Sequence, residues 1–222
     1  MNPKTIAILG GTGDLGPALA LRWARAGHRI IIGSRQAERA QGVAVELNTE
    51  LGNGRIEGKQ NSDAANAAEI CVLTVDQEAH GAALQSVKEA VQGKILIDTT
   101  ARLSFPDLTP PAPPAAARMA QDLLGSGVVV AAAFQTVPAA SLRKNIDQRL
   151  DSDVMVCCDD EDTAKVVLEL VNDCGLQGYY AGSLDKAIVI EGLTSLIVTM
   201  NKYYKSRHGT VKVAGIKKPS DS

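Results

Sequence analysis

Short apolar runs alternate along the first two thirds of the chain with longer stretches whose apolar residues recur every three or four positions. Ile6 to Leu9, Arg29 to Ile32, Ile70 to Val75, Lys94 to Ile97 and Val128 to Ala133 read as buried strands. Between them, Leu15, Leu19 and Trp23 share one helical stripe, and Ala40, Val43, Ala44 and Leu47 share another within Ala37 to Leu51. Gln77 to Val91 and Ala115 to Leu124 complete the predicted helices of this part. A turn at Asn53 and Gly54, a short strand Arg55 to Gln60, and a helix Ala64 to Ala68 capped by Asn61 to Asp63 fill the interval. Strand and helix in strict alternation predict a mostly parallel sheet covered on both faces.

Beyond residue 140 the pattern changes. Asp153 to Cys158 reads as a strand, Asp159 to Asp162 as an acidic loop, Thr163 to Asp173 as a helix with Thr163 at its N-cap, and Leu176 to Ala181 as a strand. The last helix, Leu184 to Tyr204, is apolar on nearly every face between Ile188 and Met200, with Glu191 as its one buried-looking charge. A helix of that kind needs cover, which predicts a homodimer burying Ile190, Leu193 and Ile197. The chain therefore divides into a larger unit, residues 1–140, and a smaller C-terminal unit, residues 141–222, that holds the dimerisation helix and a basic tail.

The first apolar run breaks at Gly10, and Gly11, Gly13 and Gly16 then fall in G-x-G-x-x-G spacing around Thr12, Asp14 and Leu15. A strand precedes the motif and a helix follows, which is the context of a dinucleotide diphosphate turn. Gly11 serves the tight bend, Gly13 the approach of a diphosphate to the backbone, and Gly16 the close packing of helix on sheet. The helix adds its positive N-terminal end. The fold class is thus α/β, a Rossmann-type doubly wound sheet with a smaller C-terminal α/β extension.

The end of the second strand selects the dinucleotide. NAD is usually held there by an acidic residue, but this chain reads Gly33, Ser34 and Arg35, with Arg39 one turn on. A hydroxyl and two guanidinium groups suit the 2′-phosphate of NADP; both arginines also suit solvated positions at a helix start. The other strand ends, Thr74, Val75 and Asp76, then Asp98 to Ala101, then Gln135 to Ala139, lie on the edge where ligands of open α/β sheets bind. Phe105 to Pro114 holds five of the nine prolines and reads as an extended loop, with a lid as the functional alternative.

Composition narrows the function further. With 222 residues, a net charge of −2 and no apolar run of membrane-spanning length, the chain gives neither a nucleic-acid nor a membrane signature, and Met1 to Lys4 leave no room for a signal peptide, which points to the cytoplasm. Cys71, Cys157, Cys158 and Cys174 have no metal-ligand spacing, and 157 and 158 would face opposite sides of a strand. His28, His80 and His208 form no ligand pair, so no metal site is expected. The acidic run at 159–162 reads as a helix cap rather than a metal site.

These residues resemble a known family, the NADP oxidoreductases that use the deazaflavin coenzyme F420. The resemblance rests on G-G-T-G-D-L-G at 10–16, A-L-A-L-R-x-A-x-A-G-H at 18–28 and I-G-S-R at 32–35. It continues as V-L-T at 72–74, T-V-P-A at 136–139, C-x-D-D at 157–160, and A-G-x-L with E-x-L-T-x-L-I across 181–197. It implies a 2′-phosphate site at Thr12, Ser34, Arg35 and Arg39, and a diphosphate site at Gly13 to Leu15. It also implies a nicotinamide and deazaflavin pocket at Thr74, Val75, Ala101, Gln135, Val137 and Pro138. The family pattern has His where this chain has Gln135, and Arg where it has Ile188.

The implied reaction moves a hydride between ring carbons of NADP(H) and coenzyme F420, so it needs no acid–base residue, nucleophile or metal. The cationic residues from Lys202 to Lys218, or Arg143 and Lys144, would attract the acidic tail of a deazaflavin, or else form a solvated tail. Two alternatives stay open. One is an NADPH-dependent reductase of an imine, carbonyl or flavin, for which Lys186, Glu191 and Tyr203 are the candidate proton donors. The other is a non-catalytic NADP-binding module.

Overall fold

The structure is a computed structural model that describes residues 2–52, 54–144 and 146–216. The expected turn residue Asn53 and the tail cations Lys217 and Lys218 lie outside the described residues. In chain order the elements are β1 (Thr5–Leu9), α1 (Leu15–Arg25), β2 (Arg29–Ser34), α2 (Ala37–Leu51), β3 (Ile56–Gln60), α3 (Asn61–Asn66), β4 (Ile70–Leu73), α4 (His80–Val87), β5 (Ile95–Asp98), α5 (Ala116–Leu124), β6 (Val129–Ala132) and α6 (Ala139–Arg143). They are followed by β7 (Asp153–Cys158), α7 (Glu161–Asp173), β8 (Gln177–Gly182) and α8 (Ala187–Tyr203).

One eight-stranded sheet runs β3-β2-β1-β4-β5-β6-β7-β8. The first six strands are all parallel, β7 runs antiparallel to β6, and β8 is parallel to β7. The strand order reverses between β1 and β4, each of which pairs with the other, and ligands of such sheets bind outside the carboxyl ends at that point. The C-terminal α/β extension continues this sheet.

Alternation along β1 divides the core in two: Ile6 and Ile8 pack with Trp23, Ile30 and Phe134 on one face, Ala7 and Leu9 with Ile31, Cys71 and Leu96 on the other. Cys158 and Cys157 split between the same two faces, and all four cysteines are free and buried. Trp23 meets Phe134 edge-on at 5.8 Å, and its indole N–H donates to the Leu170 carbonyl at 2.9 Å. Beside it the buried Arg22 donates to the carbonyls of Leu142, Lys144, Gln148 and Cys174 at 2.6 to 3.1 Å, tying α1 to the segment after α6.

Several local expectations change. The helix-initiating residue of α7 is Asp160, whose carboxylate accepts from the Thr163 N–H at 2.6 Å; Thr163 itself is inside the helix. Hydrogen bonding by Thr163, from its side chain first and its backbone N–H second, holds the Asp160 carboxyl below its ordinary range. The stretch from Gln77 onward is a 3₁₀ turn, Gln77–Ala79, before α4 proper. Helix α8 is not apolar toward solvent all round: Ile190 and Ile197 are already buried within the chain, whereas Val189, Leu196 and Met200 are more than half exposed. The tail is not simply solvated. Val213 N donates to the Asp153 carboxylate at 2.7 Å, Asp153 N donates to the Val211 carbonyl at 3.0 Å, and Lys212 pairs with Asp151.

Candidate active site

The carboxyl ends of β1, β2, β4 and β5 open into one crevice of about 1130 Å³. Its floor begins at the glycine turn. A Cβ on Gly16 would lie 2.6 Å from the Gly11 Cα, so α1 sits on the turn at a separation only glycine permits. A Cβ on Gly13 would meet nothing within 4 Å, which leaves the backbone between Thr12 and Leu15 open to a ligand. The left-handed residue is Gly10, at φ 69°, rather than Gly11. Its N–H donates to Asn61 Oδ1 at 3.1 Å, and a Cβ on Gly33 would come within 2.7 Å of that same oxygen. Asn61, the first residue of α3, is therefore wedged between the phosphate turn and the end of β2. The sequence showed it only as a helix cap, because its partner is 51 positions away.

Thr12, Asp14, Leu15, Ser34, Arg35 and Arg39 all line this crevice. Ser34 is buried and its Oγ accepts from the Gln36 N–H at 3.3 Å, which leaves the hydroxyl proton for an anion. Arg35 and Arg39 are exposed and, among the described residues, are in no ion pair. A cradle of open backbone, a helix N-terminus, a hydroxyl and two guanidinium groups fits a dinucleotide that carries an extra phosphate. Asp14, Asp76 and Glu78 also line it, and the Gln77 amide donates to Glu78, lowering its carboxyl from the usual range.

The crevice continues past the glycine turn to Thr74, Val75 and Ala101, which the family resemblance placed in the pocket. The three expected pocket residues that follow β6, Gln135, Val137 and Pro138, are arranged differently. Gln135 is buried, with its amide N–H donating to the Asp98 carbonyl at 2.9 Å; Val137 is turned into the core with Trp23 and Leu142; Pro138 is half-buried at the start of α6. None of the three lines the crevice, where Ala139 stands instead.

The opposite wall comes from the proline-rich segment through Leu103 and Phe105, the latter 72% exposed. This segment is fixed on α8. The Glu191 carboxylate, 1% exposed, accepts from Arg102 Nε at 2.9 Å with one oxygen and from the Ala116 N–H at 2.5 Å with the other, so one side chain holds both ends of the loop. Arg102 also donates to the Ala112 carbonyl at 2.9 Å, and Ser195 Oγ donates to the Leu108 carbonyl. Lys186, Glu191 and Tyr203 do not line the crevice. Among the described residues no cluster of His, Cys, Asp and Glu is suited to a metal ion.

Comparison with known proteins agrees with this geometry. Residues 5–102 match the family model described as NADP oxidoreductase, coenzyme F420-dependent. The chain is 37% identical over 223 residues to the F420-dependent NADP reductase of Methanothermobacter marburgensis, covering 95% of this chain and 98% of that one. It is 35% identical over 227 residues to the F420-dependent NADP reductase of Methanocaldococcus jannaschii, with the same coverage of 95% and 98%. A crystal structure from Arthrobacter sp. FB24 superposes with a TM-score of 0.80 over 95% of this chain and 99% of that one; at 24% identity the likeness is one of fold.

Proposed function

The chain belongs to the family of coenzyme F420-dependent NADP oxidoreductases, and from that premise we propose that it exchanges a hydride between NADP(H) and the deazaflavin coenzyme F420 within the crevice. The observation that carries the reading is the continuity of that hollow, which runs unbroken from Arg35 and Arg39 past the α1 N-terminus to Ala101, Leu103 and Phe105. At about 1130 Å³ it exceeds the roughly 300 to 1,000 Å³ of a pocket for one small ligand. An end lined by Ser34, Arg35 and Arg39 and an end lined by Thr74, Val75, Ala101, Leu103 and Phe105 thus share one cavity.

In this reading Ser34, Arg35, Arg39 and Thr12 hold the 2′-phosphate, and the backbone from Gly13 to Leu15 holds the diphosphate. Gly11 and Gly16 keep that backbone in place. The bound pair of rings supplies the redox chemistry, a hydride passing from carbon to carbon with no alkoxide to protonate. What the protein contributes is position: Thr74, Val75 and Ala101 shape the wall against which the reacting rings are set, and Leu103 and Phe105 exclude water from the opposite side. Gln135 and Pro138 act from behind that wall, and Val137 supports it from the core. The placement of Lys186, Glu191 and Tyr203 away from the crevice favours this reaction over reduction of an imine or carbonyl, which would draw on a proton donor.

The working form in this reading is a homodimer joined through the exposed stripe Val189, Leu196 and Met200 of α8, and its compartment is the cytoplasm, in keeping with four free, buried cysteines. No described helix is long and apolar enough to cross a membrane. The function is tested by mixing the protein and NADPH anaerobically with coenzyme F420, a flavin or a cyclic imine. Loss of deazaflavin absorbance is expected; turnover of only the flavin or imine would overturn the reading.

A further inference from the structure

Three threonines stand at the strand ends that form the crevice wall, and their hydroxyls are not equivalent. Thr74 Oγ1 donates to the Leu9 carbonyl at 3.2 Å, and Thr99 Oγ1 to the Leu73 carbonyl at 2.8 Å. Each is spent on a neighbouring strand. Thr100 is 4% exposed and also lines the crevice, yet its Oγ1 has no hydrogen-bond partner among the described residues. A buried hydroxyl left unpaired costs the protein free energy, so it calls for a partner that arrives with a ligand.

The backbone of Thr100 is fixed with care. Its N–H donates to Asp98 Oδ1 at 2.9 Å, and Asp98 Oδ2 is 2.7 Å from His80 Nε2, with the carboxylate wholly buried. The Asp98 carbonyl receives the Gln135 amide N–H, and the Gln135 Oε1 is the other buried side-chain atom with no partner among the described residues. Asp98 thus fixes the Thr100 backbone on one side and the buried Gln135 amide, behind the wall, on the other. The ligand group complementary to the unpaired Thr100 hydroxyl is an acceptor such as a carbonyl.

We propose that the Thr100 hydroxyl is a ligand-binding group that donates to the carbonyl of an amide edge. The inference rests on the proposed function for its two ligand sources, the nicotinamide carboxamide and the pyrimidinedione edge of a deazaflavin. Thr100→Val removes the hydroxyl and keeps the shape; Thr100→Ser keeps the hydroxyl.

Calorimetric titration of wild type and both variants with NADP, with 2′-phospho-ADP-ribose and with coenzyme F420 distinguishes the sources. If the nicotinamide is the partner, Val weakens NADP about tenfold and leaves 2′-phospho-ADP-ribose unchanged. If the deazaflavin is the partner, Val weakens F420 about tenfold and leaves NADP unchanged. Ser restores either loss, and the melting temperature of Val equals or exceeds that of wild type, because no internal bond is lost. Val within twofold of wild type for both ligands overturns the proposal, as does a lowered melting temperature with 2′-phospho-ADP-ribose weakened equally. Wild type that binds no F420 overturns the functional reading instead, and Thr100 is then decided by the NADP arm alone.

Discussion

Arg35 stands just beyond β2 with its side chain in solvent, facing a crevice whose β2 end offers no carboxylate. Arg35→Glu should weaken NADP at least thirtyfold, about 2 kcal/mol, while NAD changes less than threefold; parallel calorimetric titrations check this. Asn61 works on the same turn from within. Asn61→Ala removes the acceptor of the Gly10 N–H and should cost about 1 to 3 kcal/mol in denaturant unfolding, with weaker NADP binding as a second effect. The two residues differ in how far the sequence revealed them. Arg35 is legible because its role follows from residues immediately before it, whereas Asn61 and Arg22 act on partners far along the chain, at 51 and at 120 or more positions. Nothing in a helical stripe of Leu15, Leu19 and Trp23 foretells that Arg22, within it, is buried against four carbonyls.

At the scale of elements, α8 carries the loop that walls the crevice. Glu191→Ala strands the Arg102 guanidinium and the Ala116 N–H together. Arg102 keeps partial access to water at 25% exposure, so the loss should fall near the lower end of the range for broken buried pairs, about 3 kcal/mol. Chemical denaturation would measure it, and faster proteolysis between 103 and 115 should accompany it. The buried charge of Glu191 was apparent from its setting in an apolar helix; its partners were not, since Arg102 and Ala116 lie 89 and 75 positions away. Val137 is the contrasting case: the family resemblance implies a place in the pocket, whereas the Phe134–Val137 turn packs its side chain in the core and Ala139 lines the crevice.

For the whole molecule, strand–helix alternation was enough to place the six parallel strands, because each crossover must return on the same hand. The antiparallel entry of β7 was not legible: it depends on α6 and the following segment, which Arg22 anchors on α1. The same limit affected assembly. Periodicity marked α8 as in need of cover and chose Ile190, Leu193 and Ile197, of which the chain buries Ile190 and Ile197 by itself and leaves Leu193 half-buried. The stripe left outside is Val189, Leu196 and Met200, so Leu196→Asp should convert a species of twice 23.3 kDa into one of 23.3 kDa by light scattering at micromolar concentration.

The central claim is direct transfer of a hydride between two rings held in one crevice, and isotope tracing tests it most directly. NADPH carrying deuterium at both hydrogen positions of the reacting nicotinamide carbon is mixed anaerobically with the protein and oxidised coenzyme F420 in ordinary water, and the products are analysed by mass spectrometry. The account predicts one deuterium in the reduced deazaflavin. Reduced deazaflavin without the label, or label recovered only in a different acceptor, would contradict it.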